Sequence, residues 1–507
     1  MDKRMRRAKI NALTTLMAQL VTTAVGIVIP WIMIAYFGSE AYGATTSIAS
    51  FLAYISLFEG GIGRVARGAL YKPLADGDEE QISCIYLAIK RFFTIIGVAF
   101  TGYTLVLAVF YYDIADVTAF ERKYVFALVL AIALSKFAEY MWGISNITLL
   151  NAHQRQYVVN AVTMLSNILN LLSITILVTA GSGILWVKLA SSMVFLLKPL
   201  IFSLYVKKNY NIKKTRTRAV LKNKATGIAQ HVAYVVQNST DVLILTVCAD
   251  LKYVAIYSVY HLITFSLRSI VTSFTGGMEA VFGDMIAKGE QEQLKATYDK
   301  YKLLLTVLVI AFFGTAAVLI VPFVQLYTEG ASDADYVQPL FAFLMVMAEA
   351  LNCLIWPCFN LTIAGNKLKE SQIGAYGEAA INIGVSLALV FWNPLLGIAI
   401  GTLVSVVFKT LYYMLFAAKK ILNVRLRQFI IRFIITVGIL GMISLVGVKI
   451  TLQVPMYNYW RWSICGCLTF VIVMVLAFIA GGMMYGSTVR RYIADFKFRR
   501  SKEMRND

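Results

Sequence analysis

The chain is 507 residues long, 59% of them hydrophobic and only 15% charged, and its mean hydropathy is +0.71. Such values exclude a soluble globular domain and require many membrane-spanning helices. The formal charge of +20 is dispersed over loops and tails with no folded basic module, so it speaks for cytoplasmic loops and anionic headgroups and against nucleic acid.

Apolar runs of about 20 residues bounded by charge or turn residues predict fourteen spans. They centre on 10–36, 42–68, 88–111, 122–149, 158–180, 184–206, 228–249, 255–282, 303–327, 339–364, 373–392, 397–418, 430–450 and 462–485. The expected fold is therefore an all-α polytopic membrane protein. Basic segments lie before the first span (MDKRMRRAK), after the sixth (KKNYNIKKTRTRAVLKNK) and after the last. Short loops rich in Lys and Arg stay on the cytoplasmic side, which puts both termini there. The opposite loops, GSEAYG at 38–43 and TEGASDAD at 328–335, are short and neutral or acidic. The first apolar run is too long for a cleavable signal peptide and is followed at once by another span.

The fourth and tenth spans carry the same rare residues in the same order: MWGISNIT at 141–148 and IWPCFNLT at 355–362. Trp142, Asn146 and Thr148 recur as Trp356, Asn360 and Thr362 at a constant offset, 214 positions. Glu80 and Gln81 recur as Glu292 and Gln293, the pair Gly60-Gly61 as Gly276-Gly277, Asn167 as Asn382 and Ser192 as Ser405. Residues 1–206 and 228–418 thus read as two homologous six-helix lobes joined by a basic linker, 207–227. Transmembrane helices 13 and 14 (419–485) and a basic tail (486–507) stand outside the repeat. An even number of spans per lobe makes the repeats parallel, related by a pseudo-two-fold axis along the membrane normal, and such paired bundles are expected to enclose a cavity and work by alternating access.

Ionisable residues inside spans cost roughly 2.5–3.5 kcal/mol each on insertion scales and usually face a polar interior. Here they are Glu59, Lys136, Glu139, Asp241, Arg268, Glu349 and Glu378, with Arg64 and Arg67 at the end of the second span. Lys136 and Glu139, three apart on one helical face, are expected to pair. Arg64 and Arg67 lie where a cation can snorkel to headgroups. Arg268, counted from about residue 255, lies roughly 20 Å deep, and Asp241 on the preceding span is its nearest partner in sequence. Glu59, Asp241, Glu349 and Glu378 are candidates for binding H⁺ or Na⁺. The six cysteines lack paired CxxC spacing and the three histidines are scattered, so neither a metal site nor a cofactor is expected.

The glycine-rich end of the second span (FEGGIGRVARGAL), the acidic loop after it (LADGDEEQI), the entry AYG at 41–43, and their echoes IYS at 256–258 and AKGEQEQL at 287–294 resemble the polysaccharide flippases of the multidrug/oligosaccharidyl-lipid/polysaccharide exporter superfamily. The resemblance covers essentially the whole chain. It implies translocation of a lipid-linked oligosaccharide, of the undecaprenyl-diphosphate type, across the bacterial cytoplasmic membrane for surface polysaccharide synthesis. The diphosphate of such a substrate suits cations, bidentate arginine above all, which singles out Arg268, Arg64 and Arg67, with Lys136 behind them. The extra helix pair looks like that of the fourteen-helix lipid II flippases, where it supports a groove for the lipid tail, so a peptidoglycan precursor is an alternative substrate. A drug/cation antiporter of the same superfamily is the second alternative. A membrane glycosyltransferase would need longer external loops or an acid pair than this chain offers.

Overall fold

The structure is a computed structural model and describes residues 3–59, 62–213, 228–275, 277–424, 426–451 and 458–486. The described residues are helical almost throughout. In chain order the helices are α1 Lys3–Ala53, α2 Ile62–Asp76, α3 Glu79–Ile114, α4 Arg122–Ala138, α5 Ile144–Ala152, α6 Gln156–Thr179 and α7 Ile184–Asn209. They continue as α8 Ile228–Cys248, α9 Leu251–Ser273, α10 Met278–Ala287, α11 Gln291–Tyr327, α12 Pro339–Leu354, α13 Trp356–Ala364, α14 Gln372–Leu389, α15 Pro394–Ala417, α16 Leu426–Thr451 and α17 Tyr459–Met484.

Eleven of the described helical runs are long and apolar enough to cross a membrane, where the sequence suggested fourteen spans. The difference arises at three places. The first run, Lys9–Glu59, contains two of the expected segments, divided at Gly38, whose φ of +81° is a left-handed conformation that breaks the helix and favours glycine. Helix α8 contributes a shorter apolar stretch, Val235–Cys248, among the described residues. Helix α14 has 18 residues and carries Glu378. The protein is a multi-pass, all-α membrane protein, and its irregularities are concentrated at helix breaks.

Packing divides the chain into two compact units, Met1–Ser258 with Gly330–Ala334, and Val259–Glu329 with Asp335–Asp507. The division falls inside α9 rather than at the 207–227 segment, because α8 packs along α1. Ser47 and Thr246 share a hydroxyl hydrogen bond of 2.7 Å, and Tyr54 and Thr240 another of 2.5 Å. The glycine of the AYG motif is needed here: a Cβ on Gly43 would collide with the carbonyl of Leu251. The turn after α1's break is held as well. Asp333 accepts from the Ser39 amide and hydroxyl, each at 2.7 Å, and Glu40 accepts from the Thr118 amide and hydroxyl and the Ala119 amide at 2.8–2.9 Å.

Within each unit the same local devices recur. In the first, Tyr86 on α3 donates to Asn146 at 2.8 Å; in the second, Asn360 donates to Tyr301 on α11 at 3.2 Å. Thr148 and Thr362 each bond back to the carbonyl four residues earlier, at 2.7 and 2.8 Å. The asparagine of the repeated motif thus pins a short helix to its neighbour just past an interruption. That interruption is a π-helical turn at Glu139–Gly143 in the first unit and a junction at Ile355, followed by Pro357, in the second. Gly77 and Gly289, with φ of +73° and +72°, turn the chain into α3 and α11. The pair Gly60-Gly61, Gly276, residues 214–227 of the linker and the tail from 487 lie outside the described residues.

Candidate functional site: charged clusters within the spanning helices

In the first unit the charges gather around the π-helical turn. Lys136, the last-turn cation of α4, bonds to Glu139 at 2.8 Å, as the three-residue spacing predicts. Tyr140 donates its hydroxyl to Glu59 at 2.7 Å, and the imidazole of His231 donates to the Ser56 carbonyl at 2.7 Å. Lys198 on α7 places its ammonium over the Phe195 ring, 4.6 Å from the centroid. The Lys136–Glu139 pair is only half covered, with side chains 52% and 40% exposed. Lys136 stands 14 residues from one end of the apolar run Arg122–Ala152 and 16 from the other, about 21 and 24 Å at 1.5 Å per residue. A charge exposed at that depth is costly against hydrocarbon, and such residues usually face a bundle interior or a cavity.

In the second unit the charges are buried as pairs. One guanidinium nitrogen of Arg268 donates to both oxygens of Glu349, at 3.1 and 3.0 Å, and the two side chains are 13% and 8% exposed. The guanidinium also lies 4.5 Å over the Phe265 ring, and Asn352 reaches Glu349 at 3.5 Å. Lys409 on α15 meets Glu378 on α14 at 2.8 Å, 17% and 3% exposed. Lys302 on α11 is buried and donates to the Leu354 carbonyl at 2.6 Å, at the junction between α12 and α13. Arg268 and Lys409 are thus neutralised by carboxylates on other helices, the arrangement that low-dielectric surroundings demand, and Lys302 is satisfied by a carbonyl.

These positions revise two expectations. The carboxylate seen on Arg268 is that of Glu349 rather than the expected Asp241, and Asp241, in the first unit, accepts from the Tyr257 hydroxyl at 3.0 Å. Arg268 is also nearer a helix end than its sequence depth implied, five residues before the end of α9 at Ser273. Arg67 makes a long 3.4 Å bond to the Gly63 carbonyl on its own helix, and the side chain of Arg64 lies outside the described residues. Sequence reasoning missed Lys198, Lys302 and Lys409. The signal was present for two of them, since Lys198 and Lys409 interrupt apolar runs in corresponding spans, the sixth and the twelfth.

No family model and no curated protein matches the sequence. Among solved structures, a lipid II flippase, MurJ, in an inward closed conformation superposes with a TM-score of 0.67 at 14% identity, covering 94% of this chain and 99% of that one. An inward-facing multidrug resistance MATE family transporter of the MOP superfamily gives 0.57 at 16% identity, over 81% of this chain and 98% of that one. The MATE multidrug transporter DinF-BH, in complex with R6G, gives 0.58 at 14% identity, over 82% and 97%. Resemblance in the chain and superposition of its helices meet in one conclusion: the protein has the fold of the MOP-superfamily transporters and flippases.

Proposed function

We propose that the protein is a flippase for a lipid whose polar headgroup is joined through phosphate, of the undecaprenyl-diphosphate oligosaccharide type, carried across the bacterial cytoplasmic membrane by alternating access for surface polysaccharide synthesis. The observation that carries this reading is an apolar groove of about 750 Å³ between α16 and α17, closed at the back by Val318 of α11. Ile439, Met442, Ile472 and Leu476 line it, and Met442 and Ile472 are more than half exposed. An apolar groove of this kind suits a lipid chain that stays in the bilayer while its headgroup moves.

Coverage of the chain also favours a lipid substrate over a drug. The lipid II flippase accounts for 94% of this chain and the drug transporters for 81–82%, a difference about the length of the last two helices. A peptidoglycan precursor is the second substrate reading, supported by that same superposition. A cation-coupled drug antiporter is the third. Two parallel repeats, 1–206 and 228–418, with both termini cytoplasmic, are part of the proposal, supported by the recurring Asn–Tyr contacts and helix interruptions.

Reconstitution tests the activity. Proteoliposomes carrying a fluorescent polyprenyl-diphosphate sugar should move it from the inner to the outer leaflet, where a membrane-impermeant quencher reaches it, faster than protein-free vesicles do. Transport of R6G without movement of the lipid would replace the flippase reading with the antiporter one.

A further inference from the structure

We propose that Lys198 and Lys136, with Glu139 as their exchangeable partner, form the anion site that takes the diphosphate of the lipid substrate. The inference rests on the flippase reading and deepens it, because it assigns the headgroup contact to a place on α4 and α7. Lys198 stands 14 residues from the start of α7 and 11 from its end, about 21 and 16 Å. Both distances exceed what a lysine stem spans, so snorkelling does not account for it. Among the described residues it makes no ion pair; its ammonium rests on an aromatic ring instead. A cation kept at mid-helix without a bonded carboxylate is available to an anionic ligand.

The fold brings that cation to the half-exposed pair. Gly143, the last residue of the π-helical turn, lies against the next residue after Lys198: a Cβ on Gly143 would stand 3.5 Å from the Pro199 Cβ and 3.4 Å from the Glu139 Cγ. The three charges Lys136, Glu139 and Lys198 act on one another electrostatically, and Glu59 lies within reach of the first two. Two lysines then balance two glutamates when the site is empty. Glu59 is engaged by Tyr140, whereas Glu139, among the described residues, bonds to Lys136 through a pair that is half exposed.

An arriving diphosphate has two acceptor groups and a charge that a lone ammonium does not satisfy. It contacts Lys198 directly and takes Lys136 from Glu139, so the site exchanges one ion pair for two charge-assisted ones. The displaced carboxylate stays beside the phosphate and weakens its hold. A transport site needs this, since binding must be favourable enough to enter yet weak enough to leave.

The full chain in phosphatidylcholine nanodiscs, titrated with farnesyl diphosphate, tests the site. Wild-type protein should bind, more weakly as salt is raised, and inorganic pyrophosphate should compete. Lys198→Met keeps the stem, removes the charge and should weaken binding about tenfold, a typical loss for one charge-assisted contact, while Lys198→Arg should retain it. Glu139→Gln should bind more tightly than wild type and release more slowly, an effect that a merely structural ion pair does not produce. Monodisperse elution of every variant checks that the fold survives. Wild-type binding that Lys198→Met leaves unchanged, pyrophosphate that fails to compete, weakened binding in Glu139→Gln, or no farnesyl diphosphate binding at all would each overturn the site. The flippase reading is judged separately by leaflet transfer, so either idea can fail alone.

Discussion

The two charged clusters contain the same residue types and do opposite things with them. In the second unit Arg268 and Glu349 are 13% and 8% exposed and Lys409 and Glu378 are 17% and 3% exposed, so each ion's field is spent on its partner. In the first unit Lys136 and Glu139 are half exposed and Lys198 rests on the Phe195 ring in place of a carboxylate. Charge type therefore does not rank these residues; exposure does. On the proposal made above, an arginine with a buried partner holds helices together, whereas a half-exposed lysine at mid-span is available to a ligand.

The comparison breaks most visibly if the buried pairs prove dispensable one residue at a time. Arg268→Ala leaves Glu349 as an uncompensated buried charge, a loss of about 3–5 kcal/mol in stability. Membrane-extracted protein should drop in abundance and melting temperature, and Lys409→Met should do the same through Glu378. Replacing both partners with apolar residues, as in Arg268→Met/Glu349→Leu, should restore abundance, because an apolar pair of similar volume is tolerated in place of a buried ion pair. Persistent instability of that double variant would mean that the pair does more than neutralise itself.

A smaller effect is expected at Lys302. Lys302→Met removes the donor to the Leu354 carbonyl and should cost about 1–3 kcal/mol, since it leaves a buried acceptor unpaired. Thermal unfolding in detergent measures it, and protease cutting near residue 355 should rise as the junction loosens. Asp333→Ala removes the two bonds to Ser39 in a more exposed setting and should cost roughly 1 kcal/mol. The smallest stability change belongs to Lys136→Met. An exposed pair is worth about 0–1 kcal/mol, so the protein should accumulate normally even where its transport fails.

Much of this architecture is legible in the sequence because it is written in periodic or rare residues. Span positions follow from uninterrupted apolar runs, and the recurrence of Trp, Asn and Thr at an offset of 214 marks the asparagines that pin α5 and α13 to α3 and α11. Gly38 and Gly43 stand out in the sequence only as members of GSEAYG; the left-handed turn at the one and the close approach of the Leu251 carbonyl to the other are seen in the structure. Charge pairing is not legible in the sequence. Asp241 is the neighbour of Arg268 along the chain, but Glu349 lies 81 positions away and meets it only because α9 and α12 turn those faces together. Exposure is equally invisible to a one-dimensional reading, which places Arg268 ahead of Lys136 although Lys136 is the more exposed. The Lys198 and Lys409 pair was readable as two lysines inside apolar runs of corresponding spans, and only their surroundings tell them apart: a ring for one, a carboxylate for the other.

The account turns on leaflet transfer of a polyprenyl-diphosphate sugar by two variants measured side by side in proteoliposomes at equal protein content. Exposure as the ranking principle predicts that Lys136→Met, fully folded, loses most of its transfer, while Arg268→Met/Glu349→Leu, stripped of the buried pair, retains most of it. Normal transfer by Lys136→Met together with none by a well-folded Arg268→Met/Glu349→Leu would contradict the account and return the substrate contact to the second unit.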